Sequence, residues 1–181
     1  MNISVDKYGF LLYRTTKDEI FYAKDIFAKR FSSSLSLNSR TVYDRMESRL
    51  AGIVGEIVYQ SLFPIAKKTP DRDIPFDFHH DGMKVDVKCK YRKVDPKDDF
   101  EASFFEYQMR RSLENVDRYV FMSTKDDFSK VWICGYIDKS DFMNRAKLWK
   151  KGQTDPTNRK VFHENTLSVF YYQLNKYELR K

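Results

Sequence analysis

A chain of 181 residues is long enough to enclose one well-buried core and short for two domains of ordinary size. Its hydrophobic share of 41%, carried by 15 Phe and 12 Tyr among others, excludes a disordered chain, and two cysteines with no CxxC spacing exclude a disulfide framework and a zinc knuckle. The formal charge of +7, from 33 Lys and Arg against 26 Asp and Glu, gives a surface that attracts polyanions, a property nucleic-acid binders share with many proteins that bind none.

In chain order, the N-terminal stretch MNISVDKYGFLLYRTTKDE holds one short apolar run, Phe10 to Tyr13, before charge returns. That fits neither a signal peptide nor a membrane span, so a soluble cytoplasmic protein without membrane contact is expected. From Thr16 to Phe31 the apolar residues Ile20, Phe21, Ala23, Ile26 and Phe27 recur at helical spacing, and the serine-rich stretch Ser32 to Ser39 predicts a loop. A second, longer helix follows from Thr41, with Val42, Met46, Leu50, Ile53, Val54, Ile57, Val58 and Leu62 along one stripe that ends before Pro64. Gly52 and Gly55 weaken a helix interior by about 1 kcal/mol each, so close packing against a neighbour is the better reason for them. Glu56 stands directly after Gly55.

IPFDFHH and MKVDVKCKY, separated by the turn pair Asp81-Gly82, predict a hairpin. Strands are expected at RYVFMST (118–124), VWICGYI (131–137) and LSVFYYQL near the C-terminus. Between the last two, SDFMNRAKLWKKG predicts a short helix capped by Asp138 or Ser140 and ended by Gly152. Helices, then strands, then helix and strand describe an α/β or α+β fold in one domain, a central mixed sheet flanked by helices. Cys89 and Cys134 read as small buried fillers, and His79, His80 and His163 show no metal spacing and read as strand-end or surface residues.

The second arm of the hairpin alternates. Period 2 sets Val85, Val87 and Cys89 on one face and Asp86, Lys88 and Lys90 on the other. An acid and an ammonium two residues apart on a sheet strand aim a metal ligand and a cation at the same space, and Asp77, across the turn, brings a second carboxylate. An exposed strand face carrying a salt bridge would use the same residues, and Asp95-Pro96-Lys97 repeats the spacing in what reads as a loop, so the triplet alone decides nothing.

The wider order does more. A helix bearing Gly55-Glu56, a strand bearing Asp77, a turn, then Val85-Asp86-Val87-Lys88 resembles the PD-(D/E)XK nuclease superfamily, and the stretch from Asp117 to Gly152 is similar in pattern to the second half of its small phage-type members. The resemblance implies a restriction endonuclease-like fold with a catalytic core over about residues 41–137. It implies a Mg²⁺- or Mn²⁺-dependent endodeoxyribonuclease, with Glu56, Asp77 and Asp86 and the carbonyl of Val87 as ligands and Lys88 beside the attacking water. Phe76 separates Pro75 from Asp77, a departure from the motif that leaves Asp73 as an alternative acid. Gln108 is expected near the phosphate, and Lys90, Arg92, Lys93, Arg110, Arg111, Lys147, Lys150 and Lys151 are candidates for backbone contacts to nucleic acid, most naturally DNA. Of the aromatics, Phe104, Phe105, Tyr107, Tyr171 and Tyr172 are expected in the core ahead of stacking on bases. A homodimer would suit the cutting of both strands. Exonuclease or junction-resolving activity on the same fold, or a binding module without turnover, are the alternatives.

Overall fold

The computed structural model describes residues 2–31, 40–69, 76–108, 115–156, 159 and 161–178, with the backbone alone for 40–45. Strands β1 (Ile3–Val5) and β2 (Leu11–Arg14) lead into helix α1 (Lys17–Phe31). Its first turn is closed by a capping box: Glu19 N–H donates to Thr16 Oγ1 at 3.1 Å, and Thr16 N–H donates to Glu19 Oε2 at 2.8 Å. Helix α2 (Arg40–Leu62) follows and stops before Pro64. Strands β3 (Lys67–Lys68), β4 (Phe78–His80) and β5 (Met83–Arg92) come next, then β6 (Glu101–Phe105), β7 (Arg118–Lys125) and β8 (Lys130–Asp138). Helix α3 (Lys139–Arg145), β9 (Lys147–Trp149), β10 (Thr166–Phe170) and a 3-10 turn (Tyr171–Gln173) follow.

Two sheets form. The larger has seven strands in the order β1-β2-β8-β7-β5-β4-β3, antiparallel throughout except for the β5–β7 pair, and the smaller runs β6-β10-β9. The result is a mixed α+β fold with helices flanking the large sheet, as the order of elements predicts. Alternation along β7 shows how the sheet is covered: Val120 and Met122 join Val85, Val87 and Val131 in a core under α1 and α2, while Tyr119 and Phe121 face a second core with Ala102, Phe104, Phe142 and Val169. Close contact of α2 with β5 depends on Gly55, where an added Cβ would lie 2.5 Å from Cys89 Cβ. Gly52 meets nothing within 4 Å, so the packing reason holds at Gly55 only.

The structure departs from the sequence reading at four places. The second sheet is one: β6 and its pairing to β10 have no counterpart in the sequence reading. The helix after β8 ends at Arg145 instead of continuing to Gly152, because residues 147–149 pair with β10 and bury Trp149, whose indole N–H donates to Ser168 Oγ at 3.0 Å. That burial exists only through tertiary contact and overrides local helix propensity. Asp138 occupies the cap position of α3 without capping it, since its carboxylate takes the Arg118 guanidinium at 2.6 Å. The expected strand near the C-terminus also stops early, at Phe170, and turns into the 3-10 segment.

Candidate functional site

The Asp81-Gly82 turn forms, with both residues at positive φ (50° and 76°), as a tight two-residue hairpin needs. The hairpin is shorter than predicted: β4 pairs with β5 only over Phe78–His80 against Met83–Val85. On its other edge β5 pairs with β7 over the full stretch Val85 to Arg92. Past Val85, therefore, one edge of β5 is left by its partner strand, and an unpaired strand edge is where backbone donors need another acceptor. Asp77, the residue before β4, supplies it: Val87 N–H donates to Asp77 Oδ2 at 2.8 Å, while Asp77 N–H still donates to the Val85 carbonyl at 2.9 Å.

Beside this edge lies a cavity of about 630 Å³. Its walls are Ser48, Gly52 and Glu56 of α2, Asp77, the β5 segment Asp86 to Lys90, the β6 residues Ser103 to Phe105, Gln108, and Val161, Phe162, His163 and Thr166. Glu56 from α2, Asp77 from the residue before β4, and Asp86 and Lys88 from β5 thus line one cleft. Asp86 is 4% exposed, which excludes the solvated strand face that the same sequence pattern also allows. Glu56 is likewise withdrawn from solvent, with its side chain 15% exposed.

Each acid has a partner. Lys88 Nζ stands 2.9 Å from Asp86 Oδ2, and Lys68 Nζ stands 2.9 Å from Glu56 Oε2, with Arg30 reaching the other Glu56 oxygen at 3.7 Å. Charge balance is nevertheless strained at Asp77. Burial first, and then the negative charges of Asp86 and Glu56, push its carboxyl well above the usual aspartate range, against the lowering pull of Lys88 and the Val87 N–H. Burial works against the Lys88 ammonium, but Asp86 and then Asp77 outweigh it and hold this group above the usual lysine range. Lys88 is therefore a fixed positive charge in this setting.

Among the described residues no three His, Cys, Asp or Glu side chains stand as a ready-made metal cage. The donor chemistry still fits a hard divalent cation: the acids that line the cleft present carboxylate oxygens next to the Val87 backbone, and Asp77, withdrawn from water beside Asp86 and Glu56, has its carboxyl raised by burial first and by their charges second. Seating an ion there requires Glu56 and Asp86 to give up part of their present ion pairs.

The other expected site residues divide. Gln108 lines the cleft and is exposed, and Lys93, exposed, borders a smaller adjoining pocket with Glu47, Ser48 and Tyr91. Lys90 and Arg92, expected at nucleic-acid phosphates, turn inward between the sheets. Lys90 Nζ donates to Ser103 Oγ at 2.5 Å, and Arg92 donates to Ser123 Oγ, the Glu101 carbonyl and Tyr171 Oη at 3.0–3.1 Å. Lys147, Lys150 and Lys151 are exposed; Lys147 Nζ lies over the Trp149 ring, and Lys151 Nζ pairs with Glu164 at 3.6 Å. Asp73, Arg110 and Arg111 lie outside the described residues. Phe104 and Tyr171 are core residues as expected, whereas Phe105, Tyr107 and Tyr172 are exposed.

Sequence reasoning missed His163 and Ser48. His163, read as a surface residue, is exposed yet lines the cleft, and Ser48 joins the cleft to the smaller pocket. No local signal marks either one: His163 reaches the site only because β10 pairs with β6. No helix among the described residues is long and apolar enough to cross a membrane. No protein-family model matches the chain, and no curated protein matches its sequence.

Proposed function

We propose that this protein is a metal-dependent nuclease that hydrolyses phosphodiester bonds, with DNA as substrate and internal cleavage as its mode. The observation that carries the reading is the meeting of Glu56, Asp77, Asp86 and Lys88 at the open edge of β5, in a cleft where burial and then the charges of Asp86 and Glu56 raise the Asp77 carboxyl. Crowded acids of this kind are expected where a cation belongs.

Asp77, Asp86 and the Val87 carbonyl would hold Mg²⁺ or Mn²⁺, with Glu56 binding directly or through water. When bound, the ion supplies a Lewis acid for the phosphoryl oxygen and an acidified water. The chain's own contribution follows from its charges. Lys88, kept cationic by Asp86 and Asp77, offsets negative charge that accumulates on the phosphoryl oxygens as the bond to phosphorus forms. Asp77, tied to the Val87 N–H, fixes the β5 backbone at the point where the ligands meet. Gln108 and His163 face the same cleft as donors for the scissile phosphate.

A second reading has an observation of its own. Because Glu56 and Asp86 are already paired with Lys68 and Lys88, the cleft is also consistent with a nucleic-acid-binding module that turns nothing over. One experiment separates the two: supercoiled plasmid and circular single-stranded DNA, each incubated with the protein and Mg²⁺ or Mn²⁺, beside Asp86→Ala and Lys88→Ala. Cutting of either DNA by the wild type, with both variants inert but still binding DNA, supports the nuclease. Binding without metal-dependent cutting in any of the three leaves the module, and equal cutting by all three removes this site from the activity.

A further inference from the structure

The cleft has an aromatic end. At the close of β6 the chain leaves the strand for a helical turn at residues 106–108, and this change of direction brings the Phe105 and Tyr107 rings into a stack, centroids 5.6 Å apart and planes 14° from parallel. Both rings are open to solvent, Phe105 at 40% and Tyr107 at 55%, although Phe104 beside them is buried in the core. The pair is also anchored: Glu106 N–H donates to the Asn165 carbonyl at 2.8 Å, and Asn165 Nδ2 donates to Glu106 Oε2 at 2.9 Å. Phe105, Gln108 and His163 share the cleft wall with the acids.

A single exposed aromatic needs no explanation, but two stacked rings on a pinned backbone beside a charged cleft form a flat apolar surface of the kind on which a nucleobase stacks. Cleft size narrows the occupant. A volume of about 630 Å³ lies within the range, roughly 300–1,000 Å³, that encloses a ligand of a few tens of atoms. That is the scale of a nucleotide or two.

We infer that Phe105 and Tyr107 form a stacking ledge for an unpaired DNA base next to the acidic cleft, so that the strand to be cut is presented as a single strand, tail or flap. The inference rests on the nuclease reading and specifies its substrate. The molecule carries its own control: Phe170 and Tyr172 form a similar exposed stack, 5.3 Å between centroids, at the opposite end of β10 from Thr166, and neither residue lines the cleft.

The test measures binding of a fluorescein-labelled single-stranded oligonucleotide carrying one 2-aminopurine, and of the same strand in a full duplex, by anisotropy in Ca²⁺. Cleavage of both is then followed in Mg²⁺. The wild type should bind and cut the single strand in preference to the duplex, with a change in 2-aminopurine fluorescence on binding. Phe105→Ala or Tyr107→Ala should weaken single-strand binding roughly 5- to 140-fold, the range expected for loss of one base stack. Both should abolish the fluorescence change, Tyr107→Phe should keep it, and Tyr172→Ala should behave as the wild type. Wild-type binding by both ledge variants, an equal loss in Tyr172→Ala, or preference for the duplex overturns the ledge. So does a dimer that these substitutions dissociate while the fluorescence change persists, since the rings then belong to an interface between copies. The two readings fail separately. Cleavage that requires Asp86 but ignores Phe105 and Tyr107 removes the ledge alone, and a ledge that binds as described without any Asp86-dependent cleavage removes the nuclease alone.

Discussion

Along the charged face of β5, Asp86 and Lys88 meet a different fate from Lys90 and Arg92. All four alternate in the same register and, by sequence, belong to one row. The first two pair with each other in the cleft, whose wall continues along β5 as far as Lys90. The last two are taken up by Ser103, Ser123, Tyr171 and the Glu101 carbonyl, so that they fasten the small sheet to the large one. Alternation thus fixes which way a side chain points and leaves open what it meets there. Along one strand the row passes from an ion pair inside the cleft to bonds that hold the two sheets together.

The division can be broken from the functional side first. Asp86→Asn should lower metal-dependent cleavage by at least about 10³-fold, because the amide fills the same space but supplies no charge to a cation, and should lower the thermal midpoint too, because the Lys88 ammonium loses its partner. Lys88→Ala should cost about 10²–10³-fold in kcat with KM little changed, as expected for a charge that matters most in the transition state. Steady-state kinetics on a defined oligonucleotide measures both. If Arg92→Ala were to match either loss with its stability intact, the division of the row would be wrong.

From the structural side, Arg92→Ala should destabilise by about 2–3 kcal/mol, since it strips donors from the Glu101 carbonyl, Ser123 and Tyr171 in a part-buried setting. Urea denaturation reads this directly, and the same variant should keep its activity per folded molecule. Gly55→Ala should cost about 1–3 kcal/mol by forcing α2 away from Cys89, and should also weaken metal binding because Glu56 moves with the helix.

The smallest effect is in pH. Asp77 has a folded-state pKa raised above its unfolded value of about 3.9, so the folded protein holds this proton more tightly than the unfolded chain does. Its contribution to stability is therefore complete below that unfolded value and is lost as pH rises through the higher folded one. Thermal midpoints of the metal-free protein should show this decline from about pH 4 upward. Asp77→Asn should flatten it, and an unchanged slope in that variant would mean that the charge crowding at Asp77 lies elsewhere.

Much of the acidic end of the site is legible in the sequence, because helix, strand, turn and strand follow one another within residues 40–92 and period arguments place their side chains. Gly55 can be read as a packing glycine, and the Asp81-Gly82 turn as a hairpin, from local chemistry alone. The far wall of the cleft is not legible in the same way. It is made by β6 and β10, whose pairing joins Phe105 to Thr166 across 60 residues of chain, and by His163, which has no local motif. Lys147 to Trp149 look helical in the sequence because nothing local reveals that Trp149 has a partner in Ser168. Contacts between distant segments decide these cases, and one sequence does not encode them in any short pattern.

The most direct measurement is a calorimetric titration of Mn²⁺ into the wild type and into Asp77→Asn/Asp86→Asn at neutral pH. Saturable binding to the wild type is predicted, together with its loss in the double variant, whose fold by circular dichroism is unchanged. Equal binding by both proteins, or no binding to a wild type that nonetheless cuts DNA, would contradict it.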